Sequence, residues 1–155
     1  MKIMGLDMAS KTGYSVFDNG EYAESGMMDF TKKRGESNGI LFLKFKKWLT
    51  EKIAEEKPDI VAYERAHMRG ASTEILMGLQ THAQSISEEY GAMSYPIHSG
   101  TMKRKATGYG KASKEAMMEK AGEISGKNID QDDEADAVIA AYVADLELNV
   151  KTEEN

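Results

Sequence analysis

The dipeptide Asn19-Gly20 constrains the fold of this chain more than any other feature. It separates two strand-like runs, residues 14–17 (Tyr-Ser-Val-Phe) and residues 21–30. Both central residues of a tight hairpin turn need positive φ, which Asn and Gly adopt at least cost. A third apolar run, residues 3–6, precedes the pair, so the first 30 residues read as a three-stranded antiparallel meander. Helical spacing takes over after a polar loop at 32–39. Leu41, Phe45, Trp48, Leu49 and Ile53 recur on one face of a helix over about 40–54, and Pro58 stops it by Glu56. A short apolar strand at 59–63, a helix at 72–89, a strand at 93–97 and helices at 113–124 and 132–148 complete the pattern. A meander followed by alternating helix and strand predicts an α/β domain with a five-stranded mixed sheet flanked by helices.

The 155 residues read as one domain over 1–150, large enough for a hydrophobic core, with a frayed tail at 151–155. There are no cysteines, which excludes disulfides and thiolate metal sites and fits a reducing cytoplasm. No apolar stretch approaches the roughly 20 residues of a membrane span, and no signal-peptide pattern opens the sequence. The net charge is −6, but it is unevenly spread: residues 129–155 carry −8 and the other 128 carry +2. Residues 98–120 hold six basic groups against two acidic ones. Local patches set the footprint on phosphate, so the acidic total does not exclude nucleic acid.

Four carboxylates stand out against this frame. Asp7 closes the first apolar run and Glu64 closes the fourth, while Asp133 and Asp136 lie three apart at the start of the last helix. Acids at two strand ends and a pair on a helix can converge at one edge of a sheet. Divalent Mg²⁺ prefers oxygen ligands, often a few carboxylates with substrate phosphate. Two such ions about 3.5–4 Å apart stabilise both attacking and leaving oxygens in phosphodiester cleavage. Each acid also has a plainer reading. Asp7 with the following Ser10, Thr12 and Gly13 suits a polar turn, and Glu64 suits a surface pair with Arg65 or Arg69. Asp133 and Asp136 suit a solvated helix face, lying away from the stripe of Ala135, Val138, Ile139, Tyr142 and Leu146.

The segment from Met102 to Lys114 supplies Lys103, Arg104, Lys105, Lys111 and Lys114 around a Gly108-Tyr109-Gly110 turn. These cations can neutralise phosphate or charge developing in a transition state, or can line an ordinary solvated loop. His67 and Arg69, just after Glu64, are further candidates for contact with nucleic acid.

Taken in order, these segments resemble the RuvC family of Holliday-junction resolvases, in the ribonuclease H-like superfamily. Gly5-Leu-Asp7 through Gly13-Tyr14 is similar to the family's first motif, and Val61-Ala-Tyr-Glu64 to its second. Met102-Lys103 through Gly110 and Lys114 is similar to its basic segment, and Asp133-Glu-Ala-Asp136-Ala to its closing motif. The resemblance spans about residues 1–146. It implies a ribonuclease H-like fold, with Asp7, Glu64, Asp133 and Asp136 as ligands of two Mg²⁺ ions (Mn²⁺ as an alternative). Asp7 would bridge the ions, Glu64 would hold one and the helical pair the other. Lys103 and Lys114 would serve the scissile region, with Arg104, Lys105, Lys111, His67 and Arg69 also on DNA. Hydrolysis would leave 5′-phosphate and 3′-hydroxyl ends, and a homodimer, joined through the helix at 72–89, would cut opposed strands of a four-way junction. The sequence departs from the family in reading Asp7-Met8-Ala9 where Asp-Pro-Gly is usual, and in placing His67 where an aromatic wedge often stands. In these departures it resembles small phage-encoded members that cut several branched DNAs. Two other readings stand beside this one: a ribonuclease H-like nuclease that processes structured RNA, and a non-catalytic module that binds branched DNA. An actin-like kinase shares the Asp-Ser-Gly turn but needs two related domains.

Overall fold

The computed structural model describes residues 1–66 and 73–154, with side chains described through 149. Three strands open the chain, β1 (Lys2–Asp7), β2 (Lys11–Asp18) and β3 (Glu21–Asp29). Asn19 and Gly20 turn β2 into β3 with φ of 52° and 81°, the conformation expected of the hairpin. Helix α1 (Asn38–Glu56) follows and ends where Pro58 predicts, with Lys57 in the left-handed region. Then come β4 (Ile60–Glu64), α2 (Thr73–Glu89), β5 (Met93–Ile97), α3 (Ser99–Thr107), α4 (Lys114–Ser125) and α5 (Asp132–Glu154).

The sheet order is β3-β2-β1-β4-β5. The first three strands pair antiparallel, while β4 runs parallel to both β1 and β5. Strand alternation then sorts side chains to two cores. Met4, Leu6, Val61 and Tyr63 point to the layer of α1 and α2, beside Leu41, Phe45, Leu49, Leu79 and Ala83. Ile3, Phe17, Ile60 and Ala62 point to the layer of α3, α4 and α5. The expected α/β architecture, a five-stranded mixed sheet flanked by helices, is the one observed. None of the helices among the described residues is long and apolar enough to cross a membrane.

Three local readings differ. Residues 99–107, read as part of a basic loop, form α3: His98 caps its start by accepting the Gly100 N–H, and Gly108 closes it at φ 88°. The apolar content of α3 is only Met102 and Ala106, too sparse to show a helical period. Strand β2 begins at Lys11 rather than Tyr14, so Gly13 lies in the strand opposite Asp7 and not in a turn. Helix α5 continues past the expected end at Leu148, to Glu154.

Candidate metal centre

Alternation along the strands places the first two acids. Asp7 is two residues beyond Gly5 and four beyond Ile3, so it faces the α5 layer. Glu64 follows Ala62 with the same parity. The parallel register that pairs Leu6 with Tyr63 brings both carboxylates to the same end of adjacent strands. Ligand sites in open α/β sheets form at such carboxyl ends.

Backbone contact places the other two. Helix α5 crosses β1 and β2 at a point where neither strand carries a bulky side chain. A Cβ on Gly5 would lie 2.1 Å from the Ala137 carbonyl oxygen, and one on Gly13 would lie 2.0 Å from that of Asp133. Ser15, paired with Gly5 on the same face, donates its hydroxyl to the Ala137 carbonyl at 2.7 Å. The face of α5 seated here comprises Ala137, Ala140, Ala141 and Ala144, all fully buried. Asp133 and Asp136 continue that face by one turn toward its N-terminus, beyond the sheet edge. They are therefore half-buried against Asp7 and Glu64, and the reading of a freely solvated helix face does not hold.

One carboxylate oxygen each from Asp7, Glu64 and Asp136 lie within 4.8 Å of one another. The carboxyl of Asp133 is hydrogen-bonded to that of Asp7. Burial pushes the Asp7 carboxyl well above the ordinary carboxylate range, and the Asp133 hydrogen bond and the charges of Asp136, Asp133 and Glu64 push it further. Asp136 is raised to about 7, first by burial and then by the charges of Glu64, Asp132 and Asp133, with Lys103 opposing. Like charges gathered in a half-buried place repel unless a proton or a cation joins them. The donor set fits a hard divalent ion, all oxygen and no sulfur. Two Mg–O bonds end to end span about 4.2 Å, and the three oxygens lie no more than 4.8 Å apart. The three can hold a metal ion.

The neighbouring acids of α5 do different work. Asp132 pairs with Lys114 at 3.0 Å. Glu134 is buried, accepts the Ser25 hydroxyl and pairs with Lys127 at 2.9 Å. Ser25 in turn hydrogen-bonds Tyr22 at 2.8 Å. This pins the first turn of α5 to β3.

A cleft of about 240 Å³ opens beside the acids, lined by Glu64 and Asp136 on one side and by Ser99, Met102, Lys103, Ala112, Lys114 and Met117 on the other. Lys103 is half-buried in that wall. Lys114, the first residue of α4, is exposed at its rim. Of the other basic residues singled out in the sequence, Arg104, Lys105 and Lys111 are exposed and lie outside the wall among the described residues. His67 and Arg69 lie outside the described residues.

The structure adds a residue the sequence did not single out. Gln80, buried in α2, donates to the Glu64 carbonyl at 3.0 Å and accepts the Ala66 N–H at 3.3 Å. One amide thus holds the backbone on both sides of Arg65 as the chain leaves β4. A glutamine at an apolar position of the α2 stripe is the only signal that could have marked it.

No family model matches the sequence, and no curated protein does. Solved structures do. Thermus thermophilus RuvC superposes with a TM-score of 0.84 over 98% of this chain and 98% of its own, at 17% identity. The same protein in complex with a Holliday junction substrate also gives 0.84. The fold is the ribonuclease H-like fold of RuvC. The yeast mitochondrial Holliday junction resolvase matches at 0.61 and 14% identity over 99% of this chain and 84% of its own. The fowlpox virus Holliday junction resolvase matches at 0.57 and 13%, over 97% and 99%. At these identities the likeness is one of fold. What is shared with them is the RuvC-like frame; the acidic triad is a feature of this chain's own site.

Proposed function

We propose that this chain is a metal-dependent endodeoxyribonuclease that cuts four-way junctions and other branched DNA. The observation that carries the proposal is the convergence of Asp7, Glu64 and Asp136 beside a cleft that Glu64 and Asp136 line together with Lys103 and Lys114. The solved neighbours add support of a weaker kind, since several are named as Holliday junction resolvases and two are described with junction DNA.

In this reading Asp7, Glu64, Asp133 and Asp136 hold two Mg²⁺ ions. Bound there, the ions would supply a nucleophilic water at neutral pH and charge stabilisation for an in-line displacement at phosphorus. Asp7 is grouped with Glu64 and Asp136 and also interacts with Asp133, so it would contribute to holding the ions together with each of the other three acids. Glu64 reaches the site from a strand end whose backbone Gln80 fixes, so its carboxylate is held without a long flexible tether. Lys103 lines the cleft with Asp136, near enough to oppose the rise of its pKa, and would neutralise a phosphate held there. Lys114 approaches from the rim, where Asp132 orients its ammonium and raises its pKa. Burial and mutual repulsion raise the Asp7 and Asp136 carboxyls, so a divalent cation held there would relieve the repulsion among them. A homodimer would present two such sites to opposed strands of one junction.

The test is gel cleavage of four-way, three-way, flap and linear DNA, with a matched RNA four-way junction, in Mg²⁺, Mn²⁺ or EDTA. Cutting of branched DNA alone, abolished by EDTA, is the expected result. Preferential cutting of the RNA junction would give the site to structured RNA instead. Tight junction binding without cutting in either metal would leave a binding module.

A further inference from the structure

We propose that Tyr109 is a stacking platform for an unpaired base of branched DNA, carried on the turn that leads from α3 to the cleft-lining Ala112; this rests on the nuclease reading above. The other aromatic side chains of the domain are largely absorbed by packing: Tyr14, Phe30, Phe45 and Trp48 meet in one ring cluster, and Phe17 meets Tyr22 edge to face. Tyr109 is 61% exposed, more than any other aromatic side chain among the described residues. It is nevertheless carried on a fixed backbone. Its N–H donates to the Thr107 hydroxyl at 3.2 Å, and its carbonyl accepts the Ala112 N–H at 3.1 Å. Ala112, three residues on, lines the cleft.

The residues that flank it in the chain are cationic. Arg104 and Lys105 in the last turn of α3, and Lys111 beyond the turn, are all exposed, and no acid occurs between residues 99 and 114. An exposed ring on a rigid turn among cations suits a nucleobase over the ring and phosphates on the cations. Paired bases inside a linear duplex have their faces covered, whereas bases at a branch point can be unstacked. Tyr109 therefore adds affinity for branched DNA over linear DNA, while Arg104, Lys105 and Lys111 add affinity for both.

The experiment uses full-length protein in an Asp136→Asn background, with Mg²⁺ present, and a four-way junction carrying 2-aminopurine at the branch point. A linear duplex of the same sequence and a matched RNA junction serve as controls. Tyr109→Ala should weaken junction binding about tenfold, within the range that one base–aromatic stack contributes. Duplex binding should stay within about twofold, since a covered base has nothing to give the ring. Tyr109→Phe and Tyr109→Trp should bind the junction as the background does. The 2-aminopurine emission should be quenched on binding except with Tyr109→Ala. An unchanged melting temperature for Tyr109→Ala confirms that the exposed change leaves the fold intact. Equal junction affinity and equal quenching with alanine would overturn the proposal, as would equal losses on junction and duplex, or a loss confined to RNA. A background protein that binds no junction at all would instead sink the nuclease reading, and the platform with it.

Discussion

The start of α5 and the arm formed by α3 and α4 face one cleft with opposite charge and opposite constraint. Asp133 and Asp136 sit on a helix whose backbone touches β2 and β1 directly, through Gly13 and Gly5, and whose first turn Glu134 ties to Ser25 and Lys127. Their carboxylates stand on short side chains and are half-buried. Lys103 and Lys114 reach the same space on long side chains, and Lys114 is 66% exposed. The difference suits the roles proposed for the two walls. Ligands of a divalent ion need placement to a few tenths of an ångström, which rigid elements and short side chains supply. Charge neutralisation of a phosphate tolerates a mobile ammonium.

The comparison breaks most sharply at Asp136. Asp136→Asn keeps the shape of the cleft and removes one ligand charge, so cutting should fall by about a thousandfold or more, given the several kcal/mol that metal ions supply to such reactions. Junction binding should remain. Near-wild-type cutting would remove Asp136 from the metal site. The same variant also reports on pH. The Asp136 carboxyl rises from its ordinary value to about 7 in the folded chain, so the fold favours its protonated form. Its favourable contribution is complete below the unfolded pKa and is lost as pH rises through the folded one, between about pH 4 and 7. Metal-free wild type should therefore lose roughly 2–4 kcal/mol across that window that Asp136→Asn does not. Asp7, raised in the same direction, adds a loss to both proteins that is smaller in the variant, which lacks the Asp136 charge. Parallel pH profiles of melting temperature for the two would contradict the burial and repulsion assigned to Asp136.

Gly13 tests the other half of the contrast, the claim that backbone contact positions the acids. A methyl group there meets the Asp133 carbonyl at 2.0 Å, so α5 must lift or tilt. Overpacking of this kind costs about 1–3 kcal/mol, with more where only backbone can move. Gly13→Ala should lower the denaturation midpoint, and the folded fraction should cut more slowly at saturating Mg²⁺. A variant with full stability and full activity would show that the seam between α5 and β2 yields without cost.

Much of this arrangement is legible in the sequence, for definite reasons. The hairpin at Asn19-Gly20, the alternation of helix and strand, and the ends of β4 and β5 all follow from local turn chemistry and apolar period. Asp7 and Glu64 can be found because each ends a short apolar run. The seating of α5 is harder to read. Its contact with the sheet uses Ala137, Ala140, Ala141 and Ala144 against glycine, and small residues give little hydrophobic contrast, so the apolar pattern alone turns the acids away from the packed stripe. Helix α3 escapes the same pattern because seven of its nine residues are not buried. Gln80 acts across a sequence separation of 14 and 16 residues, which no local pattern encodes.

The smallest expected effect divides the basic wall itself. Lys103 is half-buried in the cleft and close enough to Asp136 to oppose the rise of its pKa. Lys114 is solvent-exposed and already shares its charge with Asp132. An exposed pair of that kind contributes little, and salt screens it. Charge held in a water-poor site, by contrast, acts at full strength on the reacting phosphate. Lys103→Gln should thus slow single-turnover cutting at saturating DNA by about 10–100-fold, at or below the roughly 100–1000-fold of losing one fully enclosed transition-state donor, since Lys103 is half-buried. Lys114→Gln should slow it less than about fivefold and mainly at low DNA concentration, because what it loses is screened surface attraction. Equal effects of the two at saturation would mean that Asp132 hands Lys114 over to the phosphate when DNA arrives, and that the rim of the cleft serves the reaction as fully as its wall does.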